Sequence, residues 1–309
     1  MSILVISRDP MPEKLIALFR QKLPEQEFRV WPDVGDGADI EYALAWKPPA
    51  GELAKLPRLK AILSFAAGVD HLTDDPLLPR HVPVVRAVSD ASRLTMSSYC
   101  AAHVLRFHHR LDLYAEFQRQ GVWKQVLPRD MADTPVGVLG LGALGLDLAQ
   151  RLLALGFPVS GWTRTARNVD GVRTFSGSEG LLACLAASAV VVCLLPLAPG
   201  TQGIINARAF AAMPRDSHVI NVARRGHVVV PDLIAALDSG HLAGATLDVF
   251  EPEPLPADSP LWRHPKVVVT PHTAGRMSSA RVAQNMVEML QYVTSGAPLQ
   301  NVVDWDRGY

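Results

Sequence analysis

The chain has no excess of charge: 30 Lys and Arg stand against 30 Asp and Glu. It therefore lacks the basic field that draws a protein to nucleic acid or to an anionic membrane, and neither is expected as a partner. Cysteine is scarce. Cys100, Cys184 and Cys193 lie in apolar surroundings without metal-ligand spacing. They read as buried free thiols of a reducing compartment, which points to the cytoplasm and excludes a disulfide scaffold. A membrane-length apolar run is missing too. Between Leu181 and Leu197, Ser188 divides a helical half from the strand pattern Val190–Leu195, and Pro196 and Pro199 end it. The N-terminal Ile3–Ile6 is too short for a secretory core, and Arg8 and Asp9 follow directly. His103, His108 and His109 have no acid or cysteine at a spacing that completes a ligand set, so no metal is expected. No internal repeat or low-complexity tract occurs.

What is present is a large apolar share, 49% of 309 residues, enough for two domains of ordinary size. Strand patterns at Ile3–Ile6, Phe28–Trp31, Tyr42–Trp46, Lys60–Phe65 and Val82–Val88, with an amphipathic helix at Glu13–Leu23, predict a small α/β domain with a parallel sheet. A single long helical pattern fills Ser89–Gly121. Strand–helix alternation resumes at Thr134 and runs to about Pro271, and a last helix near Ala280–Thr294 is expected to return to the first domain.

Residues 136–145 read Val-Gly-Val-Leu-Gly-Leu-Gly-Ala-Leu-Gly, a short apolar strand running into Gly140-x-Gly142-x-x-Gly145. Leu144, Leu148, Leu152 and Leu155 then repeat at helical spacing, Gly156 stands at the C-terminal cap, and Val159–Trp162 reads as the next strand. This is a complete βαβ unit of the kind that binds a dinucleotide. Gly140 permits the tight turn, Gly142 lets the backbone approach the pyrophosphate, and Gly145 lets helix and strand pack closely. The helix start, with Ala143 and Leu144, offers N–H groups and a positive dipole end to the anion.

An NAD-selective site expects Asp or Glu after the second strand, to bind the ribose 2′-hydroxyl. Here Thr163-Arg164-Thr165-Ala166-Arg167 follows Trp162, with no acid. Arg164 and Arg167 can pair with a 2′-phosphate and Thr163 or Thr165 can donate hydroxyl bonds to it, so NADP(H) is expected in preference to NAD(H).

Three residues beyond later strand patterns supply a reaction. Arg224 ends Asn221-Val-Ala-Arg224, Glu253 follows the pattern Leu247–Phe250, and His272 follows Val267–Thr270. Ligands of open α/β sheets bind at that carboxyl edge. Hydride delivered to a 2-oxo acid builds negative charge on the carbonyl oxygen. His272 can protonate it, Glu253 can fix the tautomer of His272 and favour its charged form, and Arg224 can clamp the substrate carboxylate.

With the glycine loop, Asn221–Arg224, Leu247-Asp-Val-Phe250 with Glu253-Pro254, and Thr270-Pro-His272, the chain resembles the D-isomer-specific 2-hydroxyacid dehydrogenases along essentially its whole length. Tyr42-Ala-Leu-Ala-Trp46-Lys-Pro-Pro49, Trp162-Thr-Arg164 and Asp306-Arg-Gly-Tyr309 are most similar to the glyoxylate/hydroxypyruvate reductase A group. The resemblance implies two Rossmann-like domains with parallel sheets. One is a flavodoxin-like substrate domain of residues 1–98 and 277–309, the other a dinucleotide-binding domain of residues 99–276, and a cleft between them closes on substrate in a homodimer. It also implies catalytic roles for Arg224, Glu253 and His272. Cofactor contacts are implied at Leu195, Pro196, Val222, Ala223 and the strand-end Asp248, besides the glycine loop and residues 163–167. Substrate contacts are implied at Trp46, Gly68 and Val69, besides Arg224 and His272. The implied activity is NADPH-dependent reduction of short 2-oxo acids such as glyoxylate and hydroxypyruvate. The alternatives are a non-catalytic NADP(H)-binding sensor or interaction module, for which a proton donor would be superfluous, and a family member oxidising a different small acid. Formate enzymes of this pattern carry Gln where Glu253 stands. The family usually has Gly after the catalytic Arg, where this chain has Arg225, which puts substrate size in doubt.

Overall fold

The computed structural model describes residues 2–308; Met1 and Tyr309, the latter closing the C-terminal motif Asp306–Tyr309, lie outside them. The chain divides into two compact units, Met1–Ser92 with Met277–Tyr309, and Arg93–Arg276. The division falls at Ser92/Arg93, where the sequence reading puts it at 98/99.

The first unit holds β1 (Ser2–Ser7), β2 (Glu27–Val30), β3 (Ile40–Trp46), β4 (Ala61–Ser64) and β5 (Val84–Val85), all parallel in the order β2-β1-β3-β4-β5. That is the flavodoxin-like doubly wound order. β1 is buried along its whole length because both faces are covered. Ile3 and Val5 pack with Phe19 of helix Glu13–Lys22 and with Met286 and Leu290 of helix Ser279–Thr294. Leu4 and Ile6 face Leu53, Leu59 and Leu72 on the other side. The last helix thus belongs to the first unit's core, and Lys22 Nζ donates to Gln284 Oε1 at 2.6 Å. β5 is far shorter than the apolar pattern Val82–Val88; only two residues pair with β4.

The second unit holds β6 (Val136–Leu139), β7 (Val159–Thr163), β8 (Arg173–Ser176), β9 (Val190–Cys193), β10 (Ser217–Asn221), β11 (Leu242–Leu247) and β12 (Val267–Val269). They form one parallel sheet, β12-β11-β10-β9-β6-β7-β8. The order reverses between β6 and β9, as in the dinucleotide-binding fold, and the ligand crevice of such sheets lies at that reversal. Both faces are packed, one by Leu139, Val191, Val219 and Leu233, the other by Val138, Val192, Leu148 and Val104.

Two local expectations need correction. The pattern Ser89–Gly121 is not one helix. Helix Asp90–His108 ends where Arg110 turns left-handed (φ 55°), and a second helix, Leu111–Gln120, follows. The first is anchored by buried residues down to His108, whose Nδ1 lies 3.0 Å from Thr134 Oγ1, whereas the second has no buried residue. Periodicity continues through the break because it registers apolar spacing and not the change of direction. Similarly, the strand read into Leu247–Phe250 stops at Leu247, so Asp248 stands just beyond β11.

Candidate active site

The glycine loop opens the carboxyl edge of the second unit's sheet, and each glycine has its own physical reason. Gly140 has φ +99°, and a Cβ there would meet the Leu194 carbonyl oxygen at 2.9 Å, where the connections after β6 and β9 part. A Cβ on Gly145 would lie 1.9 Å from the Gly140 carbonyl oxygen, so helix Ala143–Ala154 could not sit this close to β6 with any other residue. A Cβ on Gly142 meets nothing within 4 Å. Gly142 is instead the N-cap of that helix and brings no side-chain acceptor to its first N–H groups. The open cradle and the uncapped helix start together suit a pyrophosphate.

Beyond β7, Arg164, Thr165 and Arg167 are exposed, with no acid among them. Arg167 Nη1 donates to the Leu141 carbonyl at 2.5 Å, which fastens this basic turn to the glycine loop. Thr163 Oγ1 donates to the Thr165 carbonyl at 2.7 Å. The Thr163 proton is therefore spent inside the turn, and of the two threonines only Thr165 keeps a hydroxyl proton for an anion. Leu195 is buried, and the Pro196 carbonyl accepts from Thr201 Oγ1 at 2.7 Å.

On the other side of the reversal, β10, β11 and β12 are neighbours, and each carries one of the three candidate catalytic residues just past its end. Arg224 follows β10. Asn221 locks the turn between them, accepting from Ala223 N–H at 3.2 Å and donating to the Arg224 carbonyl at 2.9 Å. Val222 and Ala223 are buried, and Arg224 Nη1 donates to the Ala223 carbonyl at 2.8 Å. His227, which the sequence reading missed, is fully buried, with Nδ1 3.2 Å from the Arg224 N–H nitrogen and Nε2 3.2 Å from the Pro196 carbonyl. Nδ1 also lies 3.0 Å from the Arg224 carbonyl, so either tautomer bonds the Arg224 main chain, and with the proton on Nε2 the imidazole also ties it to the connection after β9.

Glu253 and His272 meet, as the sequence led one to expect. His272 Nδ1 lies 2.9 and 3.1 Å from the two Glu253 carboxylate oxygens, and Phe250 N–H donates to Glu253 Oε1 at 3.0 Å. A carboxylate accepts only, so Nδ1 carries a proton and Nε2 is the nitrogen left for chemistry. Among the described residues Nε2 has no hydrogen-bond partner, and the His272 side chain is 42% exposed.

Asp248, 1% exposed, is committed to the loop that carries His272. Its Oδ1 accepts from Thr270 Oγ1 at 2.6 Å and Thr273 N–H at 2.8 Å, and its Oδ2 from Ala274 N–H at 2.9 Å. The strand-end position was legible; this bonding pattern was not.

Trp46, Gly68 and Val69 belong to the first unit. Trp46 ends β3, with its ring centroid 4.6 Å from that of His71 and Lys47 Nζ 5.4 Å away. Gly68 and Val69 follow β4, and Val69, buried, caps the turn Asp70–Thr73. Among the described residues no group of His, Cys, Asp and Glu is placed to hold a metal ion, and no helix is long and apolar enough to cross a membrane.

The family model for the NAD binding domain of D-isomer specific 2-hydroxyacid dehydrogenases matches residues 101–274. The chain belongs to this family. Among its family relatives is glyoxylate/hydroxypyruvate reductase A of Serratia proteamaculans, 37% identical over 302 residues, 96% of each chain. A D-isomer specific 2-hydroxyacid dehydrogenase from Xanthobacter autotrophicus Py2, solved with NADPH and MES, is 41% identical with a TM-score of 0.93, covering 100% of this chain and 99% of that one. The NADPH-dependent glyoxylate/hydroxypyruvate reductase of Sinorhizobium meliloti, solved with NADP and sulfate, gives 36% identity and a TM-score of 0.91 over 100% and 99% of the two chains.

Proposed function

We propose that the protein reduces short 2-oxo acids, glyoxylate and hydroxypyruvate foremost, to 2-hydroxy acids with NADPH. The observation that carries this reading is the His272–Glu253 pair. It leaves one imidazole nitrogen open at the same sheet edge as the uncapped glycine loop. The relatives named for this reaction, at 37% and 36% identity over nearly full length, support it.

The residues present fit the cofactor. Gly140, Gly142, Ala143, Leu144 and Gly145 would hold the pyrophosphate, and Arg164, Thr165 and Arg167 the 2′-phosphate, with Thr163 shaping their turn. Leu195, Pro196, Val222, Ala223 and Asp248 would flank the nicotinamide end. When bound, NADPH supplies the hydride. Arg224 holds the substrate carboxylate through its guanidinium and stabilises charge on the carbonyl oxygen. His272 donates the Nε2 proton to that oxygen while Glu253 keeps hold of Nδ1–H. Trp46, Gly68 and Val69 of the first unit are proposed as further substrate contacts by resemblance to the family.

NADPH mixed with the protein and glyoxylate or hydroxypyruvate should lose the near-ultraviolet absorbance of the reduced nicotinamide. Silence across a panel of short 2-oxo acids would end this reading. The same assay tests the cofactor assignment. Arg164→Asp places a like charge beside the 2′-phosphate and should lower the NADPH-over-NADH ratio of kcat/KM by about 10–100-fold, the worth of a charge-assisted contact of ~1.5–3 kcal/mol. An unchanged ratio would remove Arg164 from the phosphate site.

We also place the protein in the cytoplasm as a homodimer. Its three cysteines are free and buried, in keeping with a reducing compartment. Helix Leu111–Gln120 buries no residue of its own, and Val122, Trp123 and Leu127 beyond it are 44%, 97% and 86% exposed. An apolar stretch left this bare in one chain is well suited to a second copy. Sedimentation equilibrium should return twice the chain mass for the wild type and a smaller species for Trp123→Asp. A wild-type monomer at micromolar concentration would refute the dimer.

A further inference from the structure

His272 sits in a backbone conformation that its residue type does not prefer. Its φ is +52°, in the left-handed region, where a residue with a Cβ is held only if its surroundings over-determine it. The main chain supplies part of the restraint: His272 N–H donates to the Asp248 carbonyl at 2.9 Å and to the Thr270 carbonyl at 3.0 Å. The rest comes through the buried Asp248 carboxylate, which gathers Thr270, Thr273 and Ala274 around one point.

Thr270 links this cluster to a distant element. Its Oγ1 lies 2.5 Å from the hydroxyl of Tyr99, on helix Asp90–His108. The direction of the chain follows from counting protons. Thr270 has one hydroxyl proton, and it goes to Asp248 Oδ1 at 2.6 Å. Tyr99 must therefore donate, and the chain runs Tyr99 O–H to Thr270 O–H to Asp248. Burial, with the Asp248 charge nearby, pushes the Tyr99 phenol up to about 12, so the donor keeps its proton at neutral pH. Tyr99 is itself fixed. Its ring lies 4.6 Å from that of His103, and the next residue of its helix, Cys100, is fully buried. Met96, one turn earlier, would touch a Cβ on Gly275 at 3.4 Å, so this helix backs the His272 loop at a second point.

We propose that Tyr99 is a positioning residue for His272. It acts through Thr270 and Asp248 to hold the turn from which the imidazole reaches the substrate. Without the Tyr99 proton, the Thr270 oxygen loses the partner that fixes its hydroxyl toward Asp248. The Thr270 hydroxyl still donates to Asp248 but is no longer anchored to the helix, and the left-handed turn is free to relax. The catalytic meaning rests on His272 being the proton donor; the positioning itself does not.

The test uses the full-length protein as Tyr99→Phe, Thr270→Val, Thr270→Ser and the double variant Tyr99→Phe/Thr270→Val. Tyr99→Phe and Thr270→Val should each lower kcat about five- to thirtyfold, the span of one or two lost hydrogen bonds. The affinity for NADPH, read by fluorescence titration, should stay within about twofold, because the glycine loop is untouched. The double variant should be no slower than the worse single, since both cut one chain. Thr270→Ser keeps the hydroxyl and should retain the wild-type rate. A second readout is independent of turnover: the His272 imidazole resonance in histidine-labelled protein, assigned by its loss in His272→Gln. It should shift or broaden in Tyr99→Phe and Thr270→Val and stay in place in Thr270→Ser. An unmoved resonance overturns the proposal, and so do additive rate losses or a lowered melting temperature at unchanged kcat. If the wild type reduces no 2-oxo acid while the resonance still moves, the functional reading fails and the positioning stands. If Tyr99→Phe fails to fold, the Thr270 pair decides by the same two readouts.

Discussion

Replacing His272 with Ala is expected to lower kcat for glyoxylate or hydroxypyruvate by about 10²–10⁴-fold, the usual worth of a positioned general acid. NADPH should bind as before. Water would then have to protonate the developing alkoxide without the orientation that Glu253 gives the imidazole through its 2.9 Å contact with Nδ1. Glu253→Gln separates donor from orienter. Gln can still accept from Nδ1–H but no longer offers a counter-charge, so its loss should be smaller than that of His272→Ala. Stopped-flow turnover beside a fluorescence titration of NADPH checks both. Loss of cofactor binding in His272→Ala would make the residue a structural part of its loop.

Arg224→Gln is expected to act on the other end of the substrate. Removing one partner of a hydrogen-bonded charge pair costs about 2–5 kcal/mol, so kcat/KM for the 2-oxo acid should fall about 30- to several-thousand-fold. KM should rise as well as kcat fall, because the carboxylate is held in the ground state and the carbonyl oxygen gains charge only in the transition state. The main chain at this position should survive, since Asn221 and His227 hold it through backbone atoms that the substitution leaves alone. Arg224→Lys should recover little, because a point charge cannot reproduce the two-pronged contact. Steady-state kinetics with the wild-type affinity for NADPH as control decides the matter. An unchanged KM for the 2-oxo acid would take Arg224 out of the substrate site.

What could be read in advance from the sequence was the part governed by local rules. The glycine spacing announced the turn at Gly140 and the close approach at Gly145, because both are conditions on single residues and their immediate neighbours. Arg224, Glu253 and His272 stood out as polar groups directly after apolar strand patterns, and the sheet puts those strands side by side. What stayed hidden depends on groups brought together across the sheet. Tyr99 and Thr270 are 171 residues apart, and nothing in either local pattern marks a shared hydrogen bond. Nothing in the sequence marked His227, because the contacts of its ring with Arg224 and Pro196 are to main-chain atoms, which leave no trace in residue type. The helix break at Arg110 was lost for a related reason: an arginine in left-handed conformation keeps the apolar rhythm on either side of it.

The bond from Arg167 to the Leu141 carbonyl bears on how cofactor choice can change in this lineage. On the proposed reading the glycine loop would serve NADPH and NADH alike, whereas the basic turn would matter only to the phosphorylated form. Because Arg167 spans both, a drift toward NADH that discarded it would loosen the part the two cofactors share. A viable route between the cofactors therefore leaves Arg167 in place and alters the turn around it.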